Sequence, residues 1–211
     1  PVFTRSKGNL LYANAIDSGI YVQQASGQTY DANTYLLNGR ISKSFSWCRM
    51  VIGLSGSALR SDYSYLSAGK VVDARTAAYT VSLDYSFRPD RWMTVEGGSL
   101  LEMTRRSVEG AATTGVNDWE HRMQLNFLPA KKWMISLHNE LYHSSEKDFG
   151  VNWFCDASVS YKADRWELSL TGRNLAGISC YERTRVSSTL QSYTLTHLRP
   201  REVVVRFCLD L

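Results

Sequence analysis

The sequence lacks any long apolar run. In 211 residues, no stretch approaches the roughly 18–20 apolar residues that a membrane-spanning helix needs. The mean hydropathy of −0.28 does not exclude membrane-spanning strands, because these alternate lipid-facing and lumen-facing residues and average out polar. A spanning helix is therefore excluded, whereas a barrel of spanning strands is not.

Closely spaced cysteines and clustered charges are also lacking. The four cysteines lie far apart, with no Cys-x-x-Cys and no histidine at zinc-ligand spacing: Cys48, Cys155, Cys180 and Cys208. We therefore expect isolated thiols, no metal site and no cofactor. The net charge is +4, and basic residues pair only at the ends of elements, as in Arg105-Arg106 and Lys131-Lys132. This pattern predicts no nucleic-acid partner.

Alternation of apolar and polar residues with a period of two is the dominant pattern. It is clearest over 149–162, where Phe149, Val151 and Trp153 begin an apolar series that alternates with polar residues, Phe154 aside. The same period recurs over 79–87, 122–127, 132–141, 165–173 and 202–211. Helical spacing fits none of these segments. The pattern predicts about ten antiparallel strands, long enough to cross a bilayer when tilted.

The predicted connections alternate between tight and long. Tight turns are expected near 45–47, 88–91, 129–132 and 162–165, whereas longer polar connections are expected around 60–74, 106–117 and 175–198, with a short one at 144–148. Alternation of this kind places all tight turns at one end of the strands. Outer-membrane barrels have this arrangement, with short periplasmic turns and longer extracellular loops.

Aromatic residues flank every tight turn on both strands. The pairs are Phe45 and Trp47, Phe87 and Trp92, Phe127 and Trp133, and Tyr161 and Trp166. Aromatic rings with a polar tip favour the boundary between membrane and water, so these eight residues are predicted to form a periplasmic girdle. Together the three patterns predict an all-β fold: a transmembrane, antiparallel, up-and-down β-barrel segment covering residues 1–211 in the bacterial outer membrane.

Several segments resemble a known family. The Trp166-Glu167-Leu168-Ser169-Leu170 segment leads into Arg173-Asn174-Leu175, a Ser/Thr-rich tip at 187–189 follows, and Leu198-Arg199-Pro200-Arg201-Glu202 precedes the last strand. With Asn126 to Trp133 and Asp156 to Tyr161, this order resembles the C-terminal β-barrel part of a TonB-dependent outer-membrane receptor. The resemblance covers roughly residues 30–211 and implies a 22-stranded barrel with an N-terminal plug. Because the chain opens at Pro1 without an initiator Met, a signal peptide or a plug, we expect it to be the C-terminal part of such a receptor.

The resemblance implies transport of an extracellular ligand that is siderophore-, glycan- or peptide-like. The partners that the resemblance implies are outer-membrane lipid, the TonB complex acting through the plug, and a capping surface lipoprotein. The alternating pattern assigns six polar residues to the lumen: Glu140, Asn152, Asp156, Glu167, Arg173 and Arg206. These residues either line a wet interior or form a hydrogen-bonded network with one another or the plug, since buried charges must be paired.

Four aromatic residues in predicted loops are candidates for ligand contact: Tyr63, Tyr65, Trp119 and Tyr181. An upper aromatic belt is the competing explanation for them. Catalysis is not expected, because His143-Ser144-Ser145 and His121 do not by themselves establish a triad and no Gly-x-Ser-x-Gly elbow is present. The alternatives to an importer are a small self-contained outer-membrane pore or adhesin barrel, and a soluble lipocalin-like carrier.

Overall fold

The computed structural model describes residues 1–17, 20–67, 70–146, 150–186 and 191–209. Strands make up 83% of it, and the described residues contain no helix. They therefore contain no helix that is long and apolar enough to span a membrane. The predicted all-β class is confirmed.

The structure has twelve strands within these ranges. They are β1 Val2–Asp17, β2 Ile20–Phe45, β3 Met50–Ser67, β4 Lys70–Asp90, β5 Met93–Val108, β6 Thr114–Ala130, β7 Trp133–Ser144, β8 Asn152–Lys162, β9 Trp166–Arg173, β10 Cys180–Val186, β11 Gln191–His197 and β12 Glu202–Leu209.

Ten of these strands form one antiparallel up-and-down sheet in the order β1-β2-β3-β4-β5-β6-β7-β8-β9-β12. A single parallel bridge, Ala13 to Leu66, also joins β1 to β3. Strands β10 and β11 pair with each other in a separate two-stranded sheet, so β9 and β12 are direct neighbours. The prediction of about ten strands is confirmed for the large sheet, which has β1 and β12 at its two ends and is not closed into a barrel.

The four predicted tight turns are confirmed. They occupy the short gaps after Phe45, Asp90, Ala130 and Lys162. Backbone hydrogen bonds link neighbouring turns: Arg88 N donates to Arg49 O (3.0 Å), Leu128 N to Trp92 O (2.7 Å) and Lys162 N to Lys132 O (2.8 Å). The Lys132 ammonium also donates to Asp164 Oδ1 at 3.1 Å. The turns therefore lie side by side at one end of their strands.

The prediction of long polar loops is wrong in two places. Strands β3 and β4 extend through most of 60–74, and β10 and β11 occupy much of 175–198. Over 106–117 the connection between β5 and β6 is shorter than expected. A ribbon that is polar on both faces carries no hydrophobic period, although its backbone pairs as well as that of any other strand. Phe149 and the tip at 187–189 lie outside the described residues.

Contacts divide the chain into two compact units. The first comprises 1–39, 56–80 and 102–116, and the second comprises 40–55, 81–101 and 117–211. Among the described residues only Leu11 and Ala74 are buried apolar side chains, both in the first unit. Ion pairs also stabilise the first unit. Asp62 takes part in two of them, with Arg75 at 2.7 Å and with Arg60 at 3.1 Å.

Acid is expected to weaken the first unit through Asp62, which lies in β3 beyond the about 9–11 residues that a strand needs to cross a bilayer. Partial burial raises the pKa of its carboxyl, but hydrogen bonds from Arg75 and Arg60 outweigh burial and leave that pKa below its ordinary value. A carboxyl with a lowered pKa stabilises the folded state above its unfolded pKa and loses this contribution as the pH falls. Urea midpoints between pH 7 and pH 3 should therefore decline less in Asp62→Asn than in the unchanged chain. Equal slopes in the two proteins would contradict this role.

Candidate functional site

Strands β6, β7, β8, β9 and β12 present one continuous apolar face. Their register aligns Leu125 with Leu137, Ile135 with Val159, Val159 with Leu170 and Leu170 with Val205. Because successive side chains of a strand point to opposite faces, all these residues lie on the same side of the sheet. This face is most open at β12, where Val203 is 70% exposed, Val205 65% and Phe207 62%, whereas Leu125, Ile135 and Leu137 are half-buried.

A row of aromatic side chains crosses this face at the end where the tight turns lie. Ring centroids are 5.6 Å apart for Trp92 and Phe127, 5.0 Å for Trp133 and Tyr161, and 5.3 Å for Tyr161 and Trp166. Phe207, which sequence reasoning did not select, extends the row at 6.0 Å from Trp166. Five of the eight predicted girdle residues are thus brought together.

The remaining three girdle residues lie at the same turns. Phe87 is half-buried near the end of β4, Phe45 ends β2 with the Lys43 ammonium 5.3 Å from its ring centroid, and Trp47 is 85% exposed in the following turn. A fully solvated indole at a turn is unusual for a large aromatic side chain.

The six residues predicted to face the lumen share the opposite, polar face. Register pairs Glu140 with Phe154, His138 with Asp156, and Arg173 with Glu202. The same register places Asn152, Glu167 and Arg206 on this face, opposite Tyr142, Cys208 and Ser169 respectively. The strand parity deduced from the sequence is therefore correct for all six residues.

Several of these polar residues are paired locally. The Arg173 guanidinium lies 3.1 Å from a Glu202 carboxylate oxygen, and His138 Nε2 lies 3.4 Å from Glu140 Oε1. Arg206 Nε donates to Cys208 Sγ at 3.2 Å, and Asn152 Nδ2 donates to Gly150 O at 3.4 Å. Such half-exposed pairs contribute little to the folding stability. They matter mainly because they set the pattern of charge that this face presents.

A cleft of about 430 Å³ opens on the polar face where β7, β8, β9 and the approach to β12 converge. Its lining is mixed in chemistry and consists of His138, Glu140, Phe154, Asp156, Arg173, Asn174, Leu198, Arg199, Pro200 and Glu202. The volume lies within the about 300–1,000 Å³ that is usual for small-ligand sites. Sequence reasoning selected Glu140, Asp156 and Arg173 but did not find the cleft.

A turn centred on Asn174 forms one wall of the cleft. Asn174 has a φ of +50°, and its side-chain amide donates to the carbonyl oxygens of Ile178 and Arg199, both at 2.8 Å. Its Oδ1 accepts from Ile178 N (3.0 Å), and its backbone N donates to Asp156 Oδ1 (2.8 Å). One asparagine thus ties the segment after β9 to the segment before β12. Asparagine suits this position because it tolerates a positive φ.

Replacing Asn174 is expected to loosen this turn and the β10–β11 hairpin beyond it. Asn174→Gly keeps the backbone conformation but removes three side-chain hydrogen bonds, each of which contributes about 1 kcal/mol at most in a half-exposed setting. Hydrogen exchange at 180–186 should accelerate about tenfold or more, while exchange in β7 stays unchanged. Gly150→Ala is a suitable control, because its new Cβ would contact nothing within 4 Å. Unchanged exchange in Asn174→Gly would show that the hairpin does not depend on this residue.

Of the four aromatic residues proposed for ligand contact, only Tyr181 lies near the cleft. It lies in β10, with ring centroids 5.5 Å from Tyr142 and 5.8 Å from Phe154. Phe154, the one aromatic exception in the polar series of its strand, also lines the cleft. This trio therefore supports one side of the cleft.

All four aromatic candidates, Tyr181 included, lie in strands and not in loops, so their predicted loop setting is wrong. Tyr63 and Tyr65 lie in β3, where the Tyr63 hydroxyl is 3.3 Å from Thr76 Oγ1 and Arg106 Cζ is 5.9 Å from the Tyr65 ring centroid. Trp119 lies in β6 opposite His143 and is 49% exposed on the apolar face. Its position agrees with the competing explanation of an upper aromatic belt.

The structure does not assemble the histidines and serines considered for catalysis into a triad. His143 and Ser144 are adjacent in β7 and lie on opposite faces, and the Ser145 hydroxyl accepts a hydrogen bond from Asn117 N (2.8 Å). His121 Nδ1 is hydrogen-bonded to Ser99 Oγ at 2.7 Å, a pair that the sequence did not suggest. No third group among the described residues orients this histidine, and orientation is what a triad requires.

The two chemically distinct faces and the cleft are the candidate functional features of the described residues. Within these ranges no three His, Cys, Asp or Glu side chains are grouped so as to hold a metal ion, and Cys48, Cys155, Cys180 and Cys208 are free thiols. No family model, curated protein or solved structure matches the chain, so its function is argued from these features.

Proposed function

We propose that this chain is the C-terminal barrel portion of a TonB-dependent outer-membrane receptor that imports an extracellular ligand. The observation that carries the proposal is the exposed apolar face of β6–β9 and β12, bounded at the turns by a row of aromatic rings. The polar face would then line the lumen, and the ring row would form the periplasmic girdle.

Exposure of this apolar face is difficult to reconcile with a protein in water. A soluble antiparallel sheet packs its apolar face on a core, whereas buried apolar side chains are almost absent from the described residues. Water-exposed apolar patches of this extent normally mark a surface that is covered. Lipid chains would cover such a face, and Trp and Tyr at its edge would meet the headgroups.

Strand length also supports the proposal. Strands β7, β8, β9 and β12 contain 12, 11, 8 and 8 residues, close to the about 9–11 that cross a bilayer when tilted. Apolar and polar side chains alternate along them as in lipid-facing and lumen-facing positions.

The importer and a small self-contained pore or adhesin differ in what completes the barrel. A pore of ten strands would need β1 and β12 to pair, because unsatisfied backbone groups are not tolerated in lipid. An importer would instead have further strands, with room for the plug through which the TonB complex acts.

Fractionation of source cells tests the proposal. An antibody against the β12 segment should detect the protein in carbonate-washed outer membranes, at a mass far above the 23.9 kDa of this chain. An outer-membrane band at about 23.9 kDa would favour the small pore or adhesin and contradict the importer. A soluble band released without detergent would contradict every membrane assignment and favour a lipocalin-like carrier.

A further inference from the structure

We propose that the cleft on the polar face binds a short peptide by its two charged ends, with an apolar side chain between them. The inference rests on the proposed function and names the ligand class of the importer. It follows from the unequal charges of the two cleft walls and from the apolar surface that lies between them.

The β7–β8 wall carries negative charge that no lysine or arginine of the described residues neutralises. Glu140 accepts a hydrogen bond from the Tyr142 hydroxyl (3.0 Å) and lies beside His138, while Asp156 accepts one from the backbone N of Asn174. Among the described residues, no lysine or arginine pairs with either carboxylate. Carboxylates on two adjacent strands, Glu140 opposite Phe154 and Asp156 opposite His138, favour a cationic group of a ligand, such as an ammonium.

The β9–β12 side of the cleft offers a cation without a side-chain partner among the described residues. Arg173 is paired with Glu202 at 3.1 Å, which makes that pair neutral overall. The Arg199 side chain, in contrast, is exposed and makes no hydrogen bond or ion pair with any described residue, although its backbone oxygen is held by Asn174. Because Asn174 holds the Arg199 backbone in place, the Arg199 guanidinium is well suited to bind a ligand carboxylate. Such a pair forms two parallel hydrogen bonds.

The surface between these groups is apolar. Phe154, Leu198 and Pro200 line it, and ring contacts with Tyr142 (5.7 Å) and Tyr181 (5.8 Å) hold Phe154 in place. A ligand that fills the cleft therefore has an ammonium at one end, a carboxylate at the other and an apolar side chain between them. A short peptide with a central leucine has this combination of groups.

The other ligand classes fit the cleft less well. An anionic metal chelate would meet two carboxylates at the β7–β8 wall, and like charges repel strongly in a partly desolvated site. A neutral glycan would donate hydroxyl hydrogen bonds to the carboxylates and accept them from Arg199, but it would leave these charges without opposite charges, which both ends of a zwitterionic peptide supply. The charge pattern therefore favours a peptide over the other two classes.

Peptide binding to the full chain in detergent tests this inference. The probe is Ala-Leu-Ala, titrated by calorimetry alongside its N-acetylated form, its C-amidated form and the form with both ends capped. Capping either end should weaken binding about tenfold, the loss of one charge-assisted contact. Arg199→Gln should weaken binding of the uncapped peptide about tenfold but leave binding of the C-amidated peptide unchanged. Glu140→Gln should weaken binding of the uncapped peptide by the same factor but leave binding of the N-acetylated peptide unchanged.

Matched controls separate the cleft from the general charge of the face. Glu167→Gln and Arg206→Gln alter charges on the same polar face outside the cleft and should not change binding. Absence of binding, equal binding of free and capped peptides, or equal loss for all peptides in Arg199→Gln would each overturn the inference. Tighter binding of the doubly capped peptide would show that the cleft takes a continuous chain, and would also overturn it.

The outcomes of the two experiments are distinguishable. Charge-dependent peptide binding by a protein that is absent from the outer membrane would contradict the importer but not the cleft. A protein found in the outer membrane at high mass, without charge-dependent binding of Ala-Leu-Ala, would contradict the cleft alone.

Discussion

An arginine in place of Val205 is expected to prevent stable assembly of the chain in the outer membrane. Val205 lies in the middle of β12, opposite Leu170 of β9, and is 65% exposed on the apolar face. If lipid covers this face, the guanidinium would lie near the bilayer midplane, where arginine on a barrel surface costs about 2–4 kcal/mol. The amount of protein in carbonate-washed outer membranes should fall several-fold.

The neighbouring position provides a matched control. Val204 is in the same strand but points to the polar face, opposite Thr171, so Val204→Arg introduces the same charge and a similar volume on the other side. This variant should assemble close to the normal level, because a charged side chain on a wet face remains hydrated. If both variants assembled equally well, the apolar face would not be in contact with lipid.

Valine at position 97 is expected to lower the free energy of unfolding by about 3 kcal/mol, an upper-range value for overpacking. A Cβ on Gly97 would lie 2.5 Å from the Arg122 carbonyl oxygen and 2.5 Å from the Tyr85 hydroxyl. The side chain of Tyr85 crosses β5 at this point, and glycine permits its close approach to the backbone. Guanidinium denaturation in detergent measures the change.

Two further variants identify the contact that is responsible. Gly39→Val is the control: it also places valine in a strand, and a Cβ at Gly39 would contact nothing within 4 Å, so its stability should change little. The double variant Gly97→Val with Tyr85→Phe should remain destabilised, because the Arg122 backbone oxygen cannot move away as a side chain can. Full recovery in the double variant would assign the strain to the tyrosine hydroxyl instead.

The alternation of residue types predicts the faces of the sheet well. The apolar series of β8, β9 and β12, the four tight turns and the shared face of Glu140, Asp156 and Arg173 all follow from a period of two, because a shift of one residue would move every side chain to the other face. Long-range register is therefore specified wherever one face is apolar.

The same reasoning fails where both faces are polar. The end of β3, the start of β4 and the β10–β11 hairpin have no sustained apolar period. The polar composition of these segments therefore predicts loops, although their backbones pair as strands. The cleft is missed for a different reason: Arg199 and Asp156 are far apart in the sequence and meet only through Asn174. The available signal for the cleft is Phe154, an aromatic residue in the polar series of its strand. The Gly97-Gly98 doublet signals a different feature, the close approach of Tyr85 to β5.

Because β9 pairs directly with β12, residues of the intervening segment beyond Tyr181 can change without disturbing the ladder on either side. The two ends of this segment are held together by the Asn174 to Arg199 hydrogen bond and by the Leu198 N to Ser179 O hydrogen bond. A foreign sequence grafted between Tyr181 and His197 would begin and end close to these two bonds. This place in the fold is therefore a natural acceptor for inserted epitopes, and evolutionary drift should accumulate there rather than in the strands.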